Sequence, residues 1–257
     1  MKALLRADFY RLFRSKFFYI LSAVALGLSL VTLGLYAVIN EFSEMADMGI
    51  AVVDAFAFQR ASFDGTVGYF SAIAAAVFIC GDYSGGGMRA KIVIGCGRRK
   101  IFYSKLIVCA FVSAVLYLIM QFVVFAFGGA VFGWRGVSAY DAVSLFFTGL
   151  FMALAYAAIF ASLSVLLQKL SSSLILGIVC IFALNLIVSL LSIAVASLES
   201  AAFTRFCEIF ARLTPVGQNS AVVGGAEDYW VLSAISAAWV VAAALLVPLR
   251  FVRQDLK

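Results

Sequence analysis

Residues 17–39 read FFYILSAVALGLSLVTLGLYAVI, 23 residues without a charge. As an α-helix at about 1.5 Å per residue the run covers roughly 35 Å, enough to cross a hydrocarbon core of about 30 Å. A cleaved secretory signal would carry an apolar stretch of only about 7–15 residues and a small-residue cleavage site, so this run is expected to stay in the membrane. Five further apolar runs follow, at 65–81, 106–131, 142–168, 170–198 and 229–249, and none contains Asp, Glu, Lys or Arg. The second reads equally as starting near Phe56, with Arg60 and Asp64 at the interface. A charge at the centre of a span costs about 2.5–3.5 kcal/mol on insertion scales, which accounts for its absence from all six.

Composition agrees. Of the 257 residues 65% are hydrophobic and 12% charged, about half the charge of a soluble domain. That leaves too little polar surface for a water-soluble globule and too much apolar residue for a disordered chain. The expectation is an all-α integral membrane protein with six transmembrane helices, a single transmembrane domain over 1–257.

Orientation follows from the basic residues. With the N-terminus inside, the inner pieces (1–16, 81–105, Lys169 and 250–257) hold 15 of the 19 Lys and Arg, and the outer pieces (40–64, 132–141 and 199–228) hold four. Acidic residues run the other way, three inside and ten outside. Lys and Arg decide orientation, so both termini are predicted to be cytoplasmic. The net charge of +6 is thus a topology signal, and no nucleic-acid partner is expected.

Several chemistries drop out. The chain has no histidine, which removes Ser-His-Asp and Cys-His catalysis, His-ligated haem and most catalytic zinc sites. Cys80, Cys96, Cys109, Cys180 and Cys207 form no CxxC pair and read as small apolar fillers. There is no GxxxxGK[ST], and Gly95-Cys96-Gly97 lacks the third glycine of GxGxxG, so no nucleotide site is expected on this chain.

Before the first span, Leu5, Phe9, Leu12 and Phe13 fall on one helical stripe, with Arg6, Arg11 and Arg14 on other faces. An amphipathic helix lying in the inner interface is predicted, anchored to lipid or contacting a cytoplasmic partner. Between the second and third runs, Gly85-Gly86-Gly87 leads into 88–94, which Gly95 and Gly97 terminate before Arg98-Arg99-Lys100. The pattern is a short exposed helix between two spans. In the last outer segment, Phe203, Phe206, Cys207, Phe210 and Leu213 recur at helical spacing until Pro215 and Gly217, a surface helix at the outer interface. Inside the membrane, Gln121 and Asn185 are candidates either for hydrogen bonds between helices or for the substrate pathway. Small-residue stripes at Gly149, Ala153, Ala157 and Ala161, and at Ala234, Ala238 and Ala242, suit close helix packing within or between chains.

In this order the segments resemble a permease of the ABC-2 type. The resemblance rests on the opening Leu4-Leu5-Arg6-Ala7-Asp8-Phe9-Tyr10-Arg11-Leu12-Phe13-Arg14-Ser15-Lys16, and on Asp82-Tyr83…Gly87-Met88-Arg89…Lys91…Gly95…Arg98-Arg99…Ser104-Lys105. Leu213-Thr214-Pro215 before the last span adds to it. The triple glycine departs from the Gly-Thr-type sequence usual in the family. Within the family the likeness is to small permeases of peptide-antibiotic immunity and resistance systems. It implies a bacterial cytoplasmic membrane protein that exports an amphipathic or hydrophobic substrate. A separate ATPase, which carries ATP and Mg, and a second permease chain, identical or related, are implied as partners.

By the same resemblance the ATPase-coupling residues are Asp82, Tyr83, Met88, Arg89, Lys91, Ile92, Arg98 and Arg99. Met88 and Ile92 would enter a groove of the ATPase, and Arg89 and Lys91 would make polar contacts. An ion-coupled secondary transporter, which usually places a titratable group near the midplane, and a non-transporting scaffold or sensor partner are the competing readings.

Overall fold

The computed structural model describes residues 1–46, 54–134, 138–197 and 201–252. Among these there is no β-strand, and six helical stretches are long and apolar enough to cross a bilayer: Lys16–Glu41, Thr66–Ser84, Arg98–Phe132, Ala139–Leu167, Leu170–Val195 and Tyr229–Phe251. All six runs expected from the sequence are present, mostly with an extra turn at an end. The expected end of the fifth at 198, the middle of the 40–64 segment, Arg135 and the basic tail after 252 lie outside the described residues.

Helix α1 (Lys2–Arg14) precedes α2 (Lys16–Ala46), which carries the first span. Ser15 between them is extended, φ −78° and ψ 119°, and turns the chain from one helix into the next. A short α3 (Ala55–Ala61) is capped by Asp54, whose carboxylate accepts from Ala57 N–H at 2.6 Å. The second span is composite: α4 (Thr66–Ala75), a π-helical turn Ala76–Cys80, and α5 (Gly81–Ser84). Such turns inside α-helices are frequent at functional sites. After α6 (Gly87–Val93), the third span comprises α7 (Arg98–Val123), a second π-helical turn Val124–Gly128 and α8 (Gly129–Phe132). Helices α9 (Ala139–Leu167) and α10 (Leu170–Ser197) are joined by a two-residue turn with Gln168 at φ 59°. Then come α11 (Ala201–Leu213), α12 (Pro215–Val223) and α13 (Tyr229–Val252).

The second, third and fourth spans form the inside of the bundle, more than half of each apolar window being buried, against 22%, 17% and 17% for the first, fifth and sixth. Ile79, Phe102, Tyr156, Val165 and Phe251 meet in the largest apolar cluster. The stripe on α9 explains the close approach: Ala153, Ala157 and Ala161 are buried, and a Cβ on Gly149 would collide with the Tyr117 hydroxyl oxygen. The α13 stripe differs. Ala234 and Ala238 are exposed and Ala242 is half-buried, while Leu232, Ser233 and Ser236 face the bundle, so that stripe lies mostly on the outside of this chain.

Two connecting segments, 40–64 and 199–228, fold further than their sequences indicate. Pro215 ends the α11 pattern but also opens α12, where its missing N–H is harmless at the first turn and Thr214 Oγ1 accepts from Gly217 N–H at 3.2 Å. Pro215, Val216, Gln218, Asn219 and Val222 are all buried. Neutral hydrogen bonds hold this end: Asn219 donates to the Tyr156 hydroxyl at 2.9 Å, and Ser236 to Gln218 Oε1 at 2.6 Å. Fully buried Gln59 of α3 donates to Ala142 O at 3.1 Å. Helix α11 is amphipathic as expected, with Cys207 buried but Phe206 and Leu213 exposed.

Candidate functional site: a charged junction under an exposed hairpin

The glycines around α6 set its geometry. Gly86 at φ 68° precedes it and Gly95 at φ 92° follows, a left-handed conformation that glycine adopts without steric cost. With Gly95 so placed, Cys96 N–H turns back to Lys91 O at 3.0 Å and closes the helix end. A helix of only seven residues is thereby held at a fixed angle to the spans on either side.

Its inner face carries charge. Lys91 Nζ lies 2.7 Å from Asp8 Oδ1 and 3.0 Å from Asp82 Oδ2. Lys105, on the second turn of α7, lies 3.1 Å from Asp8 and also pairs with Asp82. Ser104 donates to Asp8 Oδ2 at 2.7 Å, and Arg11 pairs with Asp82 from the solvent side. Both carboxylates are essentially buried, 2% and 1% exposed at the side chain, and Lys105 is 5% exposed. Buried charges are tolerated where each is paired and its remaining lone pairs are satisfied. Burial alone would raise the Asp8 carboxyl, but Lys105, Lys91 and the Ser104 hydroxyl outweigh it and hold the pKa below 3.8. Two carboxylates thus tie together α1, the end of the second span, α6 and the start of the third.

The sequence-derived coupling residues separate into two groups. Met88 is buried at 1% exposure, Asp82 and Lys91 face the junction, and Ile92 is half-buried. Tyr83 points to the fourth span, donating to Val165 O at 3.3 Å. The surface of the hairpin consists instead of Arg89, Val93 at 86% and Ile94 at 81% exposure, with Arg99 nearby and Arg98 half-buried. Met88 and Lys91, for which the resemblance implies contacts with an ATPase, face inward in this chain. On so short a helix, the face bearing the ion-paired lysine necessarily turns toward the carboxylates.

The α1 stripe also faces its own bundle. Leu12 is fully buried, Leu5 and Phe9 partly so, and Phe9 and Phe13 meet Phe111 of the third span at ring-centroid distances of 5.1 and 6.0 Å. Arg11, expected among the headgroup-facing cations, reaches Asp82. Gln121 is buried and donates to Ser62 Oγ at 3.3 Å, a bond from the third span to the C-cap of α3. Asn185, half-buried, donates to Ile181 O of its own helix at 3.2 Å, and these two amides share no hydrogen bond. Asp8, Ser104 and Lys105 were quoted in the family pattern but not singled out as site residues. The available signal was that only three acids occur on the basic side of the chain, and two of them, Asp8 and Asp82, meet here.

Six spans with a short helix braced beneath two of them define a multi-pass, all-helical membrane protein. Residues 4–188 match the sequence profile described as ABC-2 family transporter protein. The match covers most of the chain, the first four spans and most of the fifth, so this protein belongs to the ABC-2 transporter family as a permease. Permeases of this family are membrane subunits, generally non-enzymatic, and typically partner with an ATPase subunit. No curated protein matches the chain in sequence.

Proposed function

We propose that this chain is the permease subunit of an ATP-driven exporter in a bacterial plasma membrane. Both termini lie in the cytoplasm, and a second permease chain completes the pathway. The substrate is amphipathic or hydrophobic, in keeping with the likeness to peptide-antibiotic resistance permeases. ATP and Mg belong to the separate ATPase, whose closure would drive alternating access through α6.

The observation that carries this reading is the hairpin: an apolar tip, Val93 and Ile94, exposed beside Arg89, on a helix whose Lys91 pairs with buried carboxylates of two neighbouring elements, both also held by Lys105 of the third span. Exposed aliphatic side chains on a polar surface fit a protein partner, and the bracing would pass a push at the tip into the second and third spans. The exposed faces of the first, fifth and sixth spans leave room for the second permease chain.

The test is co-purification and transport in reconstituted vesicles with a co-expressed ABC ATPase that the wild type captures. Val93→Glu with Ile94→Glu is expected to lose ATPase capture and ATP-dependent transport together. Full retention of both, or solute movement by the purified chain without any ATPase, would overturn the proposal.

A further inference from the structure

At the end of the bundle opposite the hairpin, a cavity of about 230 Å³ opens between the first span, the α3–α4 connection and the third span. Its walls are of two kinds. Leu28, Phe58, Met120 and Val124 supply an apolar surface, while Ser29, Thr32, Tyr36, Ser62 and Thr66 bring hydroxyl groups. One charged residue lines it, Asp64. Asp64 Oδ1 accepts from Thr66 N–H at 2.8 Å, and among the described residues no Lys or Arg forms an ion pair with this exposed carboxylate. The contrast with Asp8 and Asp82, each neutralised by two lysines, is direct.

We infer that this cavity is a binding site for an amphiphilic cation, with its ammonium group on Asp64 and its apolar body against Leu28, Phe58 and Met120. A carboxylate at the edge of an apolar cavity beside hydrocarbon attracts a cation more strongly than one in bulk water. The hydroxyl lining can accept the remaining ammonium hydrogens. The surrounding charge agrees, since among the described residues of 40–64, 132–141 and 199–228 acids outnumber bases eight to three. An anionic amphiphile of the same shape would meet repulsion and gain no partner. Treating the ligand as cargo rests on the exporter proposal; binding itself does not.

The experiment uses the purified full chain in a neutral maltoside detergent, without ATPase, and a matched pair of fluorescent probes: dansylated diaminohexane, with a free ammonium, and dansylated aminohexanoic acid, with a carboxylate. The wild type is expected to bind the amine about tenfold more tightly than the acid, a difference of about 1.4 kcal/mol. Asp64→Asn keeps the side-chain acceptor for Thr66 N–H and is expected to abolish that preference. Thr32→Phe, which fills the cavity, is expected to weaken the amine without touching the carboxylate. Equal affinity of the wild type for amine and acid would overturn the inference whatever the variants do. So would an amine preference that survives Asp64→Asn, or amine binding unchanged by Thr32→Phe. Because no ATPase is present, loss of ATPase capture by the hairpin variants and failure of this binding test are separate results.

Discussion

The two ends of the bundle are held by different forces. At the hairpin end four elements converge on two buried carboxylates and two lysines, with one half-exposed arginine outside. At the opposite end α3 and α12 are seated mainly by neutral amides and hydroxyls, Gln59, Gln218, Asn219 and Ser236, with Arg60 donating singly to the Tyr229 hydroxyl, and by contacts so close that only glycine fits. Charged junctions are long-ranged, and their partners must all be present at once, because one missing partner leaves a buried charge uncompensated. Neutral, close-packed junctions lose a fixed increment per contact. The hairpin end is therefore built to break as a unit, and the other end to yield piecemeal.

The largest effect should come from removing Lys105. Lys105→Ala leaves Asp8 and Asp82 with only the partly exposed Lys91 and the exposed Arg11 as cations and is expected to cost about 3–5 kcal/mol, read as a fall in unfolding midpoint in detergent. If the junction is one unit, adding Asp8→Asn to Lys105→Ala should cost much less than the sum of the two single changes; simple additivity would show that the pairs are independent.

Next are the close contacts at the other end. Gly217→Ala sets a Cβ against the Ala211 backbone carbonyl, and Gly149→Ala sets one against Tyr117. Each is expected to cost about 1–3 kcal/mol by overpacking, and the two should add because they lie in separate contacts. A smaller, pH-dependent effect distinguishes the ends. The Asp8 carboxyl is held below 3.8, so its contribution is complete above that value and is lost as pH falls through the depressed folded pKa. Stability should therefore drop in that acid range in the wild type, with a weaker drop in Asp8→Asn. The smallest change in stability is expected from Val93→Ser with Ile94→Ser, within about 0.5 kcal/mol, because both side chains are solvated in the isolated chain.

The six spans were legible because a bilayer demands about 20 uncharged residues at a stretch, and such a run is visible without any knowledge of contacts. The hairpin was legible from Gly86 and Gly95, whose backbone angles are set locally. The side of α6 that faces inward was not. Lys91 and Asp8 are 83 residues apart, and nothing near Met88 in sequence tells that it points at the bundle. Helices α3 and α12 were hidden for another reason. Both are short and carry amides among small apolar residues, so neither apolar length nor helical periodicity stands out; Pro215 reads equally as a stop and as a first helical residue. The hydrogen bonds that seat them join residues far apart, Gln59 to Ala142 and Asn219 to Tyr156.

The π-helical turn Ala76–Cys80 ends two residues before Asp82. A π turn accommodates one residue more than an α turn over the same rise, so the second span carries slack. Drawn into regular α geometry, the segment beyond it would swivel by about 100°, the angle of a single residue in a helix with 3.6 residues per turn. The carboxylate would leave both ammonium groups while the span gained only about 1.5 Å in length. A small axial tug on the hairpin would then be enough to unfasten a buried knot of charge.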